Sequence, residues 1–265
     1  MTPSTQILEL PGCGLTFRDT AGGEPAVVFL HGAGADGATF AAQAAEFERR
    51  GRHTIVVDLR GHGASRPSRL PLTADLFVDD IQALVAHLHL ERPVLVGHSL
   101  GGNIAQELVR RAPERFSALA VLDATWSTGP LGPVSRWLLR LAAPALALIP
   151  ARSLPRVMAD ASAVTPAARA DAARAFGILT KPEFLDVWRA TTQFVRPDPG
   201  YRTPIPLLLV RGAEDRTGNI STAMPRWAEA EGVVESVIPG AGHFVTLDAP
   251  EASSAVLTAF VDGLK

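Results

Sequence analysis

The chain has 265 residues, 47% of them hydrophobic and 20% charged, with a formal net charge of -2. That composition belongs to a soluble globular protein with room for a sizeable core, and the near-neutral charge argues against a nucleic-acid or anionic-membrane partner. The lone cysteine, Cys13, excludes an internal disulfide and a cysteine metal cluster.

Met1 to Leu10 lacks a basic region followed by an apolar stretch, which predicts no secretion signal. Residues 6–19 predict an N-terminal hairpin: Ile7-Leu8-Glu9-Leu10, a Pro11-Gly12 turn, then Leu15 to Arg18. Short apolar runs follow at Ala26 to Leu30, Thr54 to Val57, Pro93 to Val96, Ala118 to Leu122, Ile205 to Val210 and Val233 to Ile238. Their nearly continuous apolar character predicts strands of a parallel sheet buried on both faces. Helical patterns alternate with them: Gly37 to Arg50 with Asp36 as N-cap, Ala74 to Leu90, Ser99 to Arg111, Ile220 to Glu231 and Pro250 to Leu264. The last is preceded by Asp248-Ala249-Pro250-Glu251, which reads as a capping box with proline in the first turn and assigns Asp248 a capping role.

Residues 126–201 break this rhythm. No strand is expected there, and Pro133 to Leu148, Thr165 to Ile178 and Pro182 to Phe194 read as helices. The division predicted is a core of residues 1–125 and 202–265 with a helical lid at 126–201; a plain packing extension is the alternative. The most apolar stretch, Trp137 to Ala151, is interrupted by Arg140 and Pro144 and is too short to span a bilayer. A cytoplasmic protein without membrane insertion is expected; a homodimer is left open.

The chemistry centres on Gly97-His98-Ser99-Leu100-Gly101, directly after the run Pro93 to Val96. A G-x-S-x-G sequence between strand and helix puts a serine on a tight turn with its hydroxyl exposed. A serine needs a base, and the base needs an orienting acid. Of the seven histidines, His87 and His89 end a helix and should face solvent, and His53 starts a strand. His31 and His62 lie in glycine-rich turns, and His98 adjoins the serine but points elsewhere. His243 lies in the loop Pro239-Gly240-Ala241-Gly242-His243-Phe244, at the same sheet edge as the serine, and is the expected base. Asp215 fits the acid, with Glu214 its nearest rival and Asp123 an alternative that more readily shapes the lid entrance. Asp58 reads as a brace for the turn Arg60-Gly61-His62-Gly63. The backbone N–H groups of Leu100 and of Ala33, in His31-Gly32-Ala33-Gly34-Ala35, are the expected oxyanion donors.

These segments resemble the α/β-hydrolase superfamily: Phe29-Leu30-His31-Gly32-Ala33-Gly34, Asp58-Leu59-Arg60-Gly61-His62-Gly63-Ala64-Ser65, the Ser99 turn with Gly102, Arg211-Gly212-Ala213-Glu214-Asp215, and Gly240-Ala241-Gly242-His243-Phe244. The resemblance implies a mostly parallel eight-stranded sheet with helices on both faces and a helical cap after the sixth strand. Serine at the nucleophile position departs from the haloalkane dehalogenase and epoxide hydrolase branches, which carry aspartate there. Phe244 after the histidine departs from the carbon–carbon hydrolases, which typically carry tryptophan. The reading is a serine hydrolase for a small-to-medium, largely apolar acyl substrate, with a carboxylic ester as the expected class, needing no metal or organic cofactor. Gly32, His98, Trp126 and Phe244 are pocket candidates, and Trp137, Leu138 and Leu141 add apolar surface to the lid. A lactonase, thioesterase, amidase, carbon–carbon hydrolase, perhydrolase or hydroxynitrile lyase would use the same triad. A non-catalytic receptor is the alternative of another class.

Overall fold

A computed structural model describes residues 4–132, 141 and 143–264. The strands are β1 (Ser4–Leu10), β2 (Cys13–Thr20), β3 (Gly23–Leu30), β4 (Arg52–Val57), β5 (Val94–His98), β6 (Ala118–Leu122), β7 (Leu207–Gly212) and β8 (Glu235–Ile238). They form one eight-stranded sheet in the order β1-β2-β4-β3-β5-β6-β7-β8. β1 and β2 are the expected hairpin and pair antiparallel, as does β2 with β4; every later pairing is parallel.

The near-continuous apolar runs are explained by burial on both faces. Val28 and Leu30 of β3 pack with Phe77, Ile81 and Leu84 of α2 (Ala74–His87) and with Ile104 and Leu108 of α3 (Leu100–Arg111). Val27 and Phe29 point the other way, toward Phe40, Phe47 of α1 (Ala41–Arg49), and Leu257 and Val261 of the C-terminal helix (Pro250–Asp262). The period-two alternation of β3 thus feeds two cores, one on each face.

Several boundaries move for local reasons. The helix expected over Gly37 to Arg50 opens with a 3-10 turn, Gly37–Phe40, capped by Asp36, whose carboxylate accepts the Ala38 N–H at 3.1 Å. The strand expected from Ile205 begins at Leu207, after Pro204 and Pro206, which have no N–H to give a ladder. α7 (Ile220–Glu231) ends on Gly232 in the left-handed conformation (φ 68°), which turns the chain before β8 starts at Glu235.

Between β6 and β7 lie α4 (Leu154–Ser162), α5 (Pro166–Phe176) and α6 (Lys181–Thr192). α4 was not expected; its second residue is Pro155, which suits a first turn rather than breaking it. Residues 143–148 are helical, but the first part of the helix expected over Pro133 to Leu148, with Trp137 and Leu138, lies outside the described residues. Leu141 is exposed. Among the described residues no helix is long and apolar enough to cross a membrane.

Candidate active site

The C-terminal edge of the sheet gathers three loops. β5 ends at His98, and Ser99 follows with φ 51° and ψ -114°, a strained left-handed backbone for a residue with a side chain. α3 begins at the next residue. Side chains at Gly97 and Gly101 would run into the Gly101 and Leu30 carbonyls, so the turn requires glycine at both. The Ser99 N–H is held by the Leu122 carbonyl at 3.0 Å and the Gly101 N–H by the His31 carbonyl at 3.0 Å. The Leu100 N–H lies in the first turn of α3, where no earlier helical carbonyl exists to accept it.

His243 follows β8, and Asp215 follows β7. His243 Nδ1 stands 3.1 Å from Asp215 Oδ2, both side chains buried. With that geometry Nδ1 carries the proton and donates, leaving Nε2 free to accept one. The other Asp215 oxygen accepts the Thr217 N–H at 2.7 Å. Burial pushes the Asp215 carboxyl up, but the charge and hydrogen bond of His243 and the Thr217 N–H outweigh it and hold it below the usual range.

Asp123 lies elsewhere than expected. It is fully buried behind Asp215, at the end of β6, and does not shape an entrance. Its Oδ1 accepts the Gly212 N–H at 2.8 Å, and its carboxyl interacts with that of Asp215. Burial, then the charge of Asp215, drives its carboxyl well above the usual range, so the pair keeps its negative charge on Asp215. Glu214 is exposed, and its backbone N–H bonds the Ala241 carbonyl at 2.8 Å. Asp58 accepts the Ala64 and Gly37 N–H groups, each at 2.8 Å, and so spans the turn after β4.

The remaining histidines have structural settings. His98 Nε2 donates to the His243 carbonyl at 2.8 Å, which fixes its tautomer and ties the two loops together. His31 donates from Nδ1 to the Gly32 carbonyl and accepts the Leu59 N–H at Nε2. His62 Nδ1 donates to the Arg60 carbonyl at 2.9 Å. Burial drives all three imidazoles neutral, His31 to about 4 and His62 and His98 to about 3. His87 and His89 are exposed, and His53 Nε2 meets Asp19 at 2.8 Å.

Ser99, His98, His243, Phe244, Gly32 and Ala33 share a cavity of about 280 Å³. Its far wall comes from the helical insertion: Met158, Phe176, Trp188, Thr191 and Val195 among others. Among the described residues no Asp, Glu, Lys or Arg lines it. Trp126 does not reach the cavity; it packs in the core, stacked on Trp227 with centroids 6.3 Å apart and planes 4° from parallel. Trp188 supplies the aromatic wall expected of Trp126. Residues 188, 191, 192 and 195 fall at helical i, i+3, i+4 and i+7 spacing, a signal that marked one face of this segment. Among the described residues no group of three or more His, Cys, Asp or Glu is placed to hold a metal ion.

The insertion also grips the loops beneath it. Arg174 of α5 makes a two-pronged pair with Asp36, at 2.7 and 3.0 Å, and Glu183 of α6 pairs with Arg66 at 2.9 Å. Phe176 packs against Phe244 with centroids 5.7 Å apart.

Comparison with known proteins places this geometry in a family. A sn-1-specific diacylglycerol lipase of Danio rerio is 35% identical over 106 residues, 40% of this chain and 33% of that protein. A pimeloyl-[acyl-carrier protein] methyl ester esterase of Chromobacterium violaceum is 41% identical over 118 residues, 42% of this chain and 44% of that protein. The chain thus matches less than half the length of these relatives. The enol-lactonase of Burkholderia xenovorans superposes with a TM-score of 0.80, covering 97% of this chain and 100% of that one at 20% identity, a likeness of fold. The model of the alpha/beta hydrolase family matches residues 27–256, and the chain belongs to that family.

Proposed function

We propose that the protein is a serine hydrolase that cleaves neutral carboxylic esters through an acyl-enzyme. One observation carries the reading: His243, oriented by Asp215 at 3.1 Å, lines the same cavity as Ser99 on its strained turn. Ser99 attacks the acyl carbon while His243 Nε2 takes the hydroxyl proton. Asp215 keeps the proton on Nδ1 and stabilises the imidazolium that forms. The N–H groups of Leu100 and Ala33 receive the oxyanion. The imidazolium then protonates the departing alkoxide, which leaves as the alcohol. Water, giving its proton to His243, attacks the acyl-enzyme and releases the acid and the free serine.

The substrate class follows from the wall. A cavity of about 280 Å³ whose described lining holds no Asp, Glu, Lys or Arg favours an uncharged acyl group of small-to-medium size. An anionic chain would lose its hydration there without a partner. The helical segment over the cavity acts as its cap. The names of two relatives, a diacylglycerol lipase and a methyl ester esterase, support ester cleavage. Assays on p-nitrophenyl esters of increasing acyl length test the reading. Turnover of the uncharged esters is expected, with loss in Ser99→Ala and poor turnover of esters ending in a carboxylate; equal turnover of the charged esters would contradict the proposed class.

A further inference from the structure

The loop that carries His243 is held at several main-chain polar groups; one hold comes directly from the helical insertion, and another reaches the insertion through the Asp248 carboxylate. On the core side, the Ala241 carbonyl accepts the Glu214 N–H at 2.8 Å, and the His243 carbonyl accepts His98 Nε2 at 2.8 Å. On the insertion side, the Phe244 N–H donates to the Ser162 carbonyl at 3.0 Å, at the end of α4. The Gly242 N–H donates to Asp248 Oδ2 at 2.9 Å. The same Asp248 carboxylate accepts the Val164 N–H at 3.0 Å to each oxygen, and the Thr165 N–H at 2.7 Å. Thr165 is the N-cap of α5.

The pattern Asp248-Ala249-Pro250-Glu251 suggested that Asp248 caps the C-terminal helix. It does not. α8 (Val245–Asp248) runs directly before it, so the N-cap position falls on Ala249, which makes no side-chain cap bond. Asp248 is free to turn back toward its own loop and across to the insertion. Three backbone donors from two separate segments converge on one carboxylate, and each such charge-assisted bond is stronger than its neutral counterpart. The fit is close: a Cβ at Gly242 would sit 2.9 Å from the Ser162 carbonyl oxygen and 3.3 Å from Asp248 Oδ2.

We propose that Asp248 is a positioning residue for catalysis. It clamps the peptide preceding His243 to the start of α5, so that the seating of the helical insertion sets the aim of the imidazole at Ser99. The segment that walls the cavity would then also hold the base. This rests on the serine-hydrolase reading. Without the carboxylate the Gly242 N–H loses its acceptor, the link through Asp248 to the insertion goes, only the Phe244 bond to Ser162 remains, and the imidazole is left to wander by a fraction of an ångström. A misplacement on the order of 1 Å costs about a hundredfold in rate.

The test compares the wild type with Asp248→Ala, Asp248→Asn and Gly242→Ala, each as the full chain. The rate of covalent labelling of Ser99 by a fluorophosphonate and the kcat and KM for p-nitrophenyl butyrate are measured at one temperature well below each Tm. Asp248→Ala is expected to lower both the labelling rate and kcat by about tenfold to a hundredfold, with KM changing less than about threefold. Asp248→Asn keeps an oxygen acceptor and should fall between the two. Gly242→Ala wedges the loop from the insertion with Asp248 intact and should lower kcat in the same sense. It also keeps the question answerable should Asp248→Ala fail to fold. A folded Asp248 variant with a lowered Tm but wild-type kcat and labelling would show a purely structural clamp and overturn the proposal, leaving the serine reading standing. A wild type that is neither labelled at Ser99 nor active on any ester would overturn both.

Discussion

Gly34→Ala tests whether the loop proposed to donate the second oxyanion N–H is held by the helices above it. Gly34 has φ 74°, and a Cβ there would lie 2.7 Å from Phe176 Cδ1 and 2.7 Å from Phe184 Cε2. The backbone conformation costs an L-residue about 1–2 kcal/mol. Crowding two ring edges in a packed contact adds about 1–3 kcal/mol. The stiffer unfolded chain returns about 0.4–1 kcal/mol. The net loss is about 3 kcal/mol, which lowers Tm by about 6–12 °C in a protein somewhat above 150–250 residues. Because Ala33 immediately precedes the strained position, the loop shifts with it. kcat on p-nitrophenyl butyrate should fall at least about tenfold, toward the hundredfold that loss of one oxyanion donor costs. Differential scanning fluorimetry and steady-state kinetics read both quantities. A variant within about 1 °C of wild type and with full turnover would show that the rings over Gly34 have slack, and that the insertion does not fix the loop.

Two further outcomes follow from the buried groups. His31, His62 and His98 have folded values of about 4, 3 and 3, against about 6.5 when unfolded. Each favours the fold fully above about pH 6.5, and that contribution is lost as the pH falls toward the folded value, because only the unfolded chain takes up the proton. Asp123, raised in the fold, works in the opposite sense. His62→Gln removes one of the three, so its urea stability should fall less steeply with pH than that of wild type, by about 1.4 kcal/mol per unit below about pH 6; parallel curves would mean that His62 is protonated in the folded protein. Asp215→Asn should lower kcat by about 10³–10⁴-fold, since the amide no longer stabilises the Nδ1 proton. Asp123→Asn, isosteric with a neutral acid and still able to accept the Gly212 N–H, should lose less than about tenfold; the reverse order would move the acid role to Asp123.

The sequence made legible those parts of the site whose chemistry is local. The Ser99 turn needs two glycines within five residues, and a run of buried strand residues before it, so one short segment encodes it. The glycine-rich segments around His31 and His243 are likewise short enough to recognise locally, although distant partners hold them in place. What escaped the sequence depends on distant partners. Trp126 reads as an apolar lid residue, but its position is decided by Trp227, a hundred residues on, in the core. The cavity wall formed by Met158, Phe176 and Trp188 becomes a wall only when the insertion folds over β5 and β7, although the spacing of residues 188–195 hinted at a shared face. Asp248 matched a capping pattern because the pattern is blind to α8 occupying the residues before it. Asp123 and Asp215 look equivalent at strand ends; the hydrogen bond from His243 separates them.

The most direct test of the central claim is to treat the folded protein with a fluorophosphonate and locate the adduct by mass spectrometry. A single phosphonylated peptide modified at Ser99, with labelling abolished in Ser99→Ala and strongly slowed in His243→Ala, is the predicted result. Labelling at another residue, or no labelling of folded protein that binds small esters, would contradict an activated serine at this site.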